Sequence, residues 1–501
     1  MKRLVVFIVT LALALCVASS SFSGAFAAQV DREPEYKSFE DLSGKRICML
    51  TGAPFEGLIS SKVSDVEEFS YYASPAEMVM AIKTGKTDAG LLNTATLDLF
   101  VNRDAELAEF PEPLKAAQFG IGFSKNYEDI DLWQGAFDNI DSAVIENMWD
   151  KWTGADEDAK IMPRVDWDGS AGTVRVAICD SMQPSAYLSA DGQVLGMEAE
   201  LILLLAKQLN YKVEFLPMEF SALIASVEAG KADMCAGTLI ITEERQKTLN
   251  FVAYHDTAFV FVVRAKDSTG YSVFSDIGEK FKNTLFTDGR YKLILSGLET
   301  TLIISVSSGI IGLVAAYIMV SLHRRNIKLI NAIIAVYCRL ISGLPVVVIL
   351  MILYYVVFAS AKTPAVFVTI VGFSIIFAPK AYALIISGIE SVDKGQLEAA
   401  LALGYTEKKA YRRVILPQAA KVYFPLLRTQ FALLVKETSV AGYIAVVDLT
   451  RAGDIIRGHT LEAFFPLLTV AIIYFVLTWL ITAFIDAGKS ISDRAKRRAL
   501  L

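Results

Sequence analysis

Lys380, Lys436 and Glu437 stand inside long apolar stretches of this 501-residue chain. An ionisable group among lipid tails is costly, and is generally kept to meet a polar solute or an opposite charge. Lys436 and Glu437 are sequence neighbours, so on one helix they point about 100° apart. Each therefore calls for a partner elsewhere, unless Lys436 snorkels to the membrane surface. Other chemistry is missing from the sequence. Three histidines, and cysteines with no C-x-x-C spacing, make no metal site. No G-x-x-x-x-G-K-[ST] loop occurs, so the chain is not expected to hydrolyse ATP itself. No nucleophile, base and orienting group are suggested together, so nothing supports an enzyme, and no cofactor is expected.

The elements that must position those charges are membrane spans. Five apolar stretches follow Arg290, at about 298–322, 330–358, 365–389, 423–447 and 463–485. Each is about long enough for a bilayer core of roughly 30 Å. The second is interrupted at Gly343-Leu344-Pro345, where it is expected to tilt or break. Arg324, Arg325 and Lys328 lie between the first and second spans, and Lys394, Lys408, Lys409, Arg412, Arg413 and Lys421 between the third and fourth. The alternate loops hold only Lys362, and Arg451 with Arg457. The positive-inside rule then places the front half outside and the C-terminus in the cytoplasm. The spans and their connections make a transmembrane domain at 291–490, followed by a basic tail at 491–501.

Charge divides the chain in the same place. Residues 29–290 carry 24 Lys and Arg against 43 Asp and Glu, and residues 291–501 carry 22 against 11. With a mean hydropathy of +0.44, this reads as an acidic soluble part joined to a basic membrane part. An acidic front makes nucleic acid an unsuitable partner. Lys2 and Arg3, an apolar run from Leu4 to Ala18 and Ala25-Phe26-Ala27 form the pattern of a secretory signal over residues 1–28. An uncleaved anchor is the alternative. Cys48, Cys179 and Cys235 each lie in an apolar, strand-like run, which suits buried single thiols, although a Cys179–Cys235 bridge between neighbouring strands stays open.

The longest cytoplasmic loop is the most informative segment. It contains Glu398-Ala399-Ala400, then Gly404, then Val414, Leu416 and Pro417. An Ala/Leu-rich stretch favours a short helix. Gly404 can take the positive φ that ends it. Thr406 can cap a second helix, which Pro417 should limit. This spacing resembles the loop of ABC importer permeases. Gly395-Gln396, Leu416-Pro417-Gln418-Ala419, Leu434-Val435-Lys436-Glu437-Thr438-Ser439 and Leu298-Glu299-Thr300-Thr301-Leu302 resemble the polar amino-acid branch. The resemblance covers about residues 290–490. It implies that Glu398, Ala399, Ala400, Gly404, Leu416 and Pro417 couple to a cytoplasmic ATPase dimer, and that a second permease subunit, identical or not, completes the pore. The family often carries a Glu and an Arg late in the third span, where this chain has Ala383-Leu384-Ile385-Ile386-Ser387-Gly388.

Ahead of the membrane part, strand-like and helix-like runs alternate in two blocks, 36–154 and 172–267, joined by 155–171 and followed by a linker at 268–290. Alternating β and α with short connections implies parallel-rich sheets covered by helices. Such sheets bind ligands where strands end and helices begin. The blocks resemble the two lobes of an extracellular solute-binding protein of the amino-acid type (family 3). Gly230-Lys231-Ala232-Asp233, Thr242-Glu243-Glu244-Arg245 and Leu249-Asn250-Phe251 resemble its first lobe. Phe39 to Arg46 and Gly85-Lys86-Thr87-Asp88-Ala89 resemble its second, and Trp149 to Gly154 its usual ending. The order is reversed, which implies one circularly permuted clamshell, α/β in class, ahead of an all-α five-helix permease. Two degenerate half-copies are the alternative. The hinge of a permuted clamshell is expected near Val263–Asp267 and Tyr36–Phe39.

The resemblance also implies a ligand site. Arg245 corresponds to the family's carboxylate-binding arginine, whose planar fork gives two charge-assisted bonds; a surface arginine after a threonine cap is the alternative. Gly237 and Thr238 fall where the family uses backbone and hydroxyl groups, Gly52 in the facing loop, and Asp180 at the end of a strand. Asn93 replaces the family's ammonium-binding Asp, and accepts a hydrogen bond without supplying charge. Ala53-Pro54, Ile240 and Met182-Gln183-Pro184-Ser185 also depart from the family, so an ammonium-free carboxylate or a peptide-like or amide compound becomes relatively more favourable. The function implied is an importer subunit of the bacterial cell membrane, its binding domain outside, moving a small polar solute with a separate ATPase and in contact with lipid. A ligand-gated channel or membrane sensor is the alternative.

Overall fold

Short β-branched and apolar runs ended by Gly or by Asn become strands here because helices cover both of their faces. The computed structural model describes residues 32–104, 106–154, 159–164, 169–189, 191–266, 277–358, 363–460, 462 and 464–498. The proposed signal peptide lies outside these residues, as do parts of both linkers and the end of the tail. The chain forms two compact units, residues 1–294 with 452–469, and residues 295–451 with 470–501.

The first unit is built on β1 (Arg46–Leu50), β2 (Glu68–Tyr72), β3 (Ala89–Asn93), β4 (Leu107–Glu109), β5 (Lys115–Ser124), β6 (Gly172–Cys179), a small three-stranded sheet of β7 (Ser181–Met182), β8 (Ala186–Leu188) and β9 (Val194–Leu195), then β10 (Tyr211–Met218), β11 (Met234–Ala236) and β12 (Leu249–Arg264). Among the described residues the main sheet runs β10-β6-β11-β5-β12-β3-β1-β2, with β4 beside β12. It is mixed rather than parallel-rich. β2-β1-β3 and β10-β6-β11 are parallel triplets, whereas β5 and β12 are antiparallel to each other and to their neighbours.

Both parallel triplets are locked in the same way, and the residues are those of the two Gly-Lys-x-Asp turns. Arg46 begins β1 and sends its backbone N–H, Nε and Nη2 to Asp88, with Nη2 also reaching the Gly85 carbonyl. Arg175, early in β6, makes the matching set to Asp233 and the Gly230 carbonyl. A forked cation on a carboxylate that also accepts a backbone N–H fixes where each third strand enters its sheet.

β5 and β12 pair over their whole common length, Leu249 with Ser124 to Phe259 with Lys115, with a register shift between Ala253 and His255. The first part of β12 and the last of β5 therefore extend the β10-β6-β11 triplet, and the second part of β12 pairs with β3. These two strands run through both halves of the sheet, with the register shift near its middle. A bulge relaxes the ladder where the strands must bend. Trp149 stacks on His255 at this place, ring centroids 4.1 Å apart.

Helices cover the sheet: α1 (Glu56–Lys62), α2 (Pro75–Lys83), α3 (Thr94–Arg103), α4 (Ile130–Asp138), α5 (Ser142–Thr153), α6 (Met197–Leu209) and α7 (Leu223–Glu228). α4 and α5 pack on α6. Glu200 of α6 accepts from the Trp152 indole at 2.6 Å and from Lys151 at 2.8 Å. Residues 115–153 thus complete the lobe that begins at 172. Trp133 and Trp152 are fully buried there, and aromatic bodies of this size supply much of a core's apolar burial. Cys48, Cys179 and Cys235 are buried and form no disulfide; burial pushes the Cys48 thiol up to about 12.

The second unit is helical: α8 (Tyr291–His323), α9 (Lys328–Gly343), α10 (Val346–Ile352), α11 (Ala365–Glu390), α12 (Lys394–Ala402), α13 (Glu407–Ala410), α14 (Leu416–Glu437) and α15 (Phe464–Arg498), with the first residues of α8 and of α15 counted in the first unit. Among the described residues three helices are long and apolar enough to cross a membrane, Tyr291–His323, Ala365–Glu390 and Phe464–Ala483. Counting Lys328–Gly343 and Val346–Val357 as one broken span, bent by 108°, makes four. The break falls at Leu344 and Pro345, as the missing N–H and fixed φ of proline require. The expected fourth span differs. α14 starts within the loop at Leu416, carries Lys421, Arg428, Lys436 and Glu437, and gives way to a 3₁₀ turn at Thr438–Ile444. Those charges keep it from counting as a fifth apolar span.

Candidate ligand cleft and charged sites

Asn93 closes β3 and opens α3. Its Oδ1 accepts the Thr96 N–H at 2.9 Å, the N-cap bond that asparagine is well shaped to make. That bond uses the oxygen which the sequence suggested for an incoming ammonium, and leaves the amide N–H groups. Gly237 follows β11 at φ +146°, and a Cβ there would stand 2.6 Å from Cys179 Cβ. The position is therefore closed to side chains. It turns Thr238 so that its hydroxyl donates to the Gly237 carbonyl at 2.7 Å.

Arg245 sits in the short turn after Thr242 and is only 9% exposed. It donates from Nη1 to the Ile240 carbonyl at 3.1 Å and from Nη2 to the Gly52 carbonyl at 3.4 Å, and lies 5.8 Å from the Phe220 ring centre. No carboxylate pairs with it among the described residues. Burial lowers its pKa below the ordinary guanidinium value. A buried cation left so is stabilised by an arriving anion.

Arg245, Asn93 and Thr238 are the polar side chains of one cleft with about 420 Å³ of empty space, part of it open to solvent. The remaining wall is apolar, including Phe55, Phe220, Phe259, Ile240 and Met182. Phe55 and Phe259 are in contact, ring centroids 4.4 Å apart. Apolar walls with few polar groups describe a small-molecule site. Of the other sequence candidates, Gly52 and Gly237 contribute carbonyls beside the cleft, and Asp180 is buried outside its lining.

Sequence reasoning missed the residue that holds this corner together. Glu198, in the first turn of α6, is fully buried. It accepts the Tyr254 hydroxyl at 2.7 Å and the Thr238 N–H at 2.9 Å. Burial raises its carboxyl pKa, against the lowering effect of these donors. Its position beside Gly196, where an amphipathic helix should begin with a polar face, was the available signal.

In the helical unit, Lys380 of α11 donates to both oxygens of Glu437, at 2.7 and 3.0 Å. Two of the three intramembrane charges thus answer each other, and Lys436 is exposed on α14. In the loop, Asp393 caps α12 by accepting the Gly395 N–H. Gly404 takes φ +80° between α12 and α13. Thr406 stands at the start of α13 without a side-chain cap bond, and Pro417 lies in the first turn of α14, where it helps to open a helix instead of ending one. Ala400 is buried, whereas Glu398 and Ala399 face outward and Leu403 is 79% exposed.

Known proteins match both halves. A profile of the bacterial extracellular solute-binding proteins, family 3, matches residues 174–409. The probable amino-acid permease protein YxeN of Bacillus subtilis is 30% identical over 197 residues, 38% of this chain and 88% of that protein. The L-cystine transport system permease protein TcyB of the same organism is 31% identical over 194 residues, 38% of this chain and 83% of that one. The crystal structure of an amino acid ABC transporter with histidines is 31% identical, covers 41% of this chain and 97% of its own, and has a TM-score of 0.39. The chain therefore belongs to the amino-acid ABC permeases, a membrane transport family, and residues 174–409 are similar to the bacterial extracellular solute-binding proteins of family 3.

Proposed function

We propose that the α/β unit is a single permuted clamshell which captures a small carboxylate-bearing solute, an amino acid or a relative of one, for inward passage through the fused permease. The observation that carries this is Arg245, a buried guanidinium on an apolar cleft with no ion pair to a carboxylate among the described residues. Arg245, Thr238 and Asn93 are its ligand contacts, with Gly52 and Gly237 shaping the loops. Asp180 serves the wall behind them. We place the clamshell outside the membrane and the C-terminus inside on the basic loops of the sequence, which takes a fifth crossing by α14 beside the four apolar spans. α12, Gly404 and α13 form the knob that receives a cytoplasmic ATPase dimer, and a second permease subunit completes the pathway. Lys380 and Glu437 neutralise each other at the permease core.

The test is calorimetric titration of the full chain in nanodiscs with a panel of small carboxylates and amino acids. Arg245→Ala removes up to two charge-assisted bonds, each contributing about 1.5–3 kcal/mol, so binding of the best ligand should fall at least 100-fold. Arg245→Lys keeps the charge without the fork and should recover part of it. Parental affinity in Arg245→Ala, with a normal unfolding transition, would show that the cleft does not take a carboxylate.

A further inference from the structure

We propose that the solute is an apolar monocarboxylate without an ammonium group, an aliphatic or aryl acid. This rests on the carboxylate reading of Arg245 above and goes beyond it in excluding zwitterions. The observation is that the polar lining, among the described residues, holds one cation and two neutral groups, Asn93 and Thr238, and no carboxylate to balance an ammonium. Asn93 Oδ1 takes the Thr96 N–H, the Gly237 carbonyl takes the Thr238 hydroxyl, and the carbonyls of Ile240 and Gly52 take Arg245. What remains toward the cleft is the Asn93 amide N–H pair, the unused N–H groups of Arg245 and the neutral Thr238 oxygen, and among the described residues no Asp or Glu lines the space.

An ammonium entering this cleft would give up water for a largely apolar surface next to a guanidinium of the same sign. Burying such an ion without a balancing charge is strongly unfavourable. A carboxylate meets Arg245 and the Asn93 N–H groups together, and its carbon body meets Phe220, Phe259 and Met182. The same apolar wall leaves the several polar groups of a peptide or a sugar unpaired.

The fold also supplies the variant that reverses the preference. Aspartate is as good an N-cap as asparagine. In Asn93→Asp one carboxylate oxygen can keep the Thr96 N–H and the other can meet an ammonium, so the variant should fold normally.

The experiment compares matched pairs on the full chain in nanodiscs by calorimetry: 4-methyl-2-oxopentanoate with leucine, and phenylpyruvate with phenylalanine. The oxo acid of at least one pair should bind 10-fold or more tightly than its amino acid in the parent. Asn93→Asp should narrow or invert that ratio, and Arg245→Ala should abolish binding of both. Tighter binding of an amino acid by the parent, lost in Arg245→Ala, would overturn this inference and leave the carboxylate site standing. Binding of a sugar or an amine by the parent, with none of the four acids or amino acids bound, would overturn both.

Discussion

Gly404→Asp is expected to abolish uptake while leaving the protein in the membrane and its ligand affinity unchanged. Nothing lies within 4 Å of a Cβ at this position, so an added side chain meets no neighbour in the chain. The backbone strain of a non-glycine residue at φ +80° is about 1 kcal/mol. That is too little to unfold a helical domain of this size. The effect falls on the exposed knob, where Leu403 offers an apolar contact beside a turn without a side chain. A partner surface packed against that turn would meet both bulk and an unpaired charge. The measurements are solute uptake into vesicles carrying the chain with its ATPase, and ligand-stimulated ATP hydrolysis in the same vesicles. Both should drop to background. Parental uptake by Gly404→Asp would remove the knob from the coupling path.

Glu198→Ala is expected to destabilise the α/β unit strongly. It strands the Tyr254 hydroxyl and the Thr238 N–H, both buried. An unpaired buried polar group costs about 1–3 kcal/mol, so the pair, with the space left by the side chain, should lower stability by about 3 kcal/mol or more. Glu198→Gln retains an oxygen and should be much milder. pH separates the two. The folded carboxyl pKa is raised above its ordinary value of 4.5 by burial. The folded state therefore holds its proton longer than the unfolded chain. This contribution is complete below the unfolded value and is lost as pH rises through the folded one. Relative to the parent, Glu198→Gln should gain stability as pH is raised above about 4.5. Thermal unfolding of the full chain across pH 4 to about 8 reads both effects. An alanine variant as stable as the parent would mean that the Thr238 corner does not depend on this carboxylate.

Local chemistry was legible wherever one residue decides it. The positive φ at Gly404 and the break at Leu344 and Pro345 followed from residue type. What escaped were features set by partners far along the chain. β12 reads in sequence as an apolar run without a boundary; that its two ends belong to different lobes depends on β5, more than a hundred residues earlier. Asn93 and Pro417 take up a further structural role for a related reason. Each residue type has two uses, and the helix that follows selects between them: a cap bond to Thr96 in one case, a first turn in the other. Glu198 escaped because an acidic residue in a helix's first turn is ordinarily solvated. Only the fold reveals the hydroxyl and N–H buried against it.

The exit of β12 has a consequence for transport kinetics. The strand that traverses both lobes ends at Arg264, and the first membrane helix begins at Tyr291 on the same chain. A free-standing receptor must find its permease by diffusion, with an occupancy that depends on how much receptor the cell makes. A receptor tethered by a segment this short experiences an effective concentration in the millimolar range. Docking can then be weak and quickly reversed, and transport should be insensitive to expression level but sensitive to the length of residues 265–290.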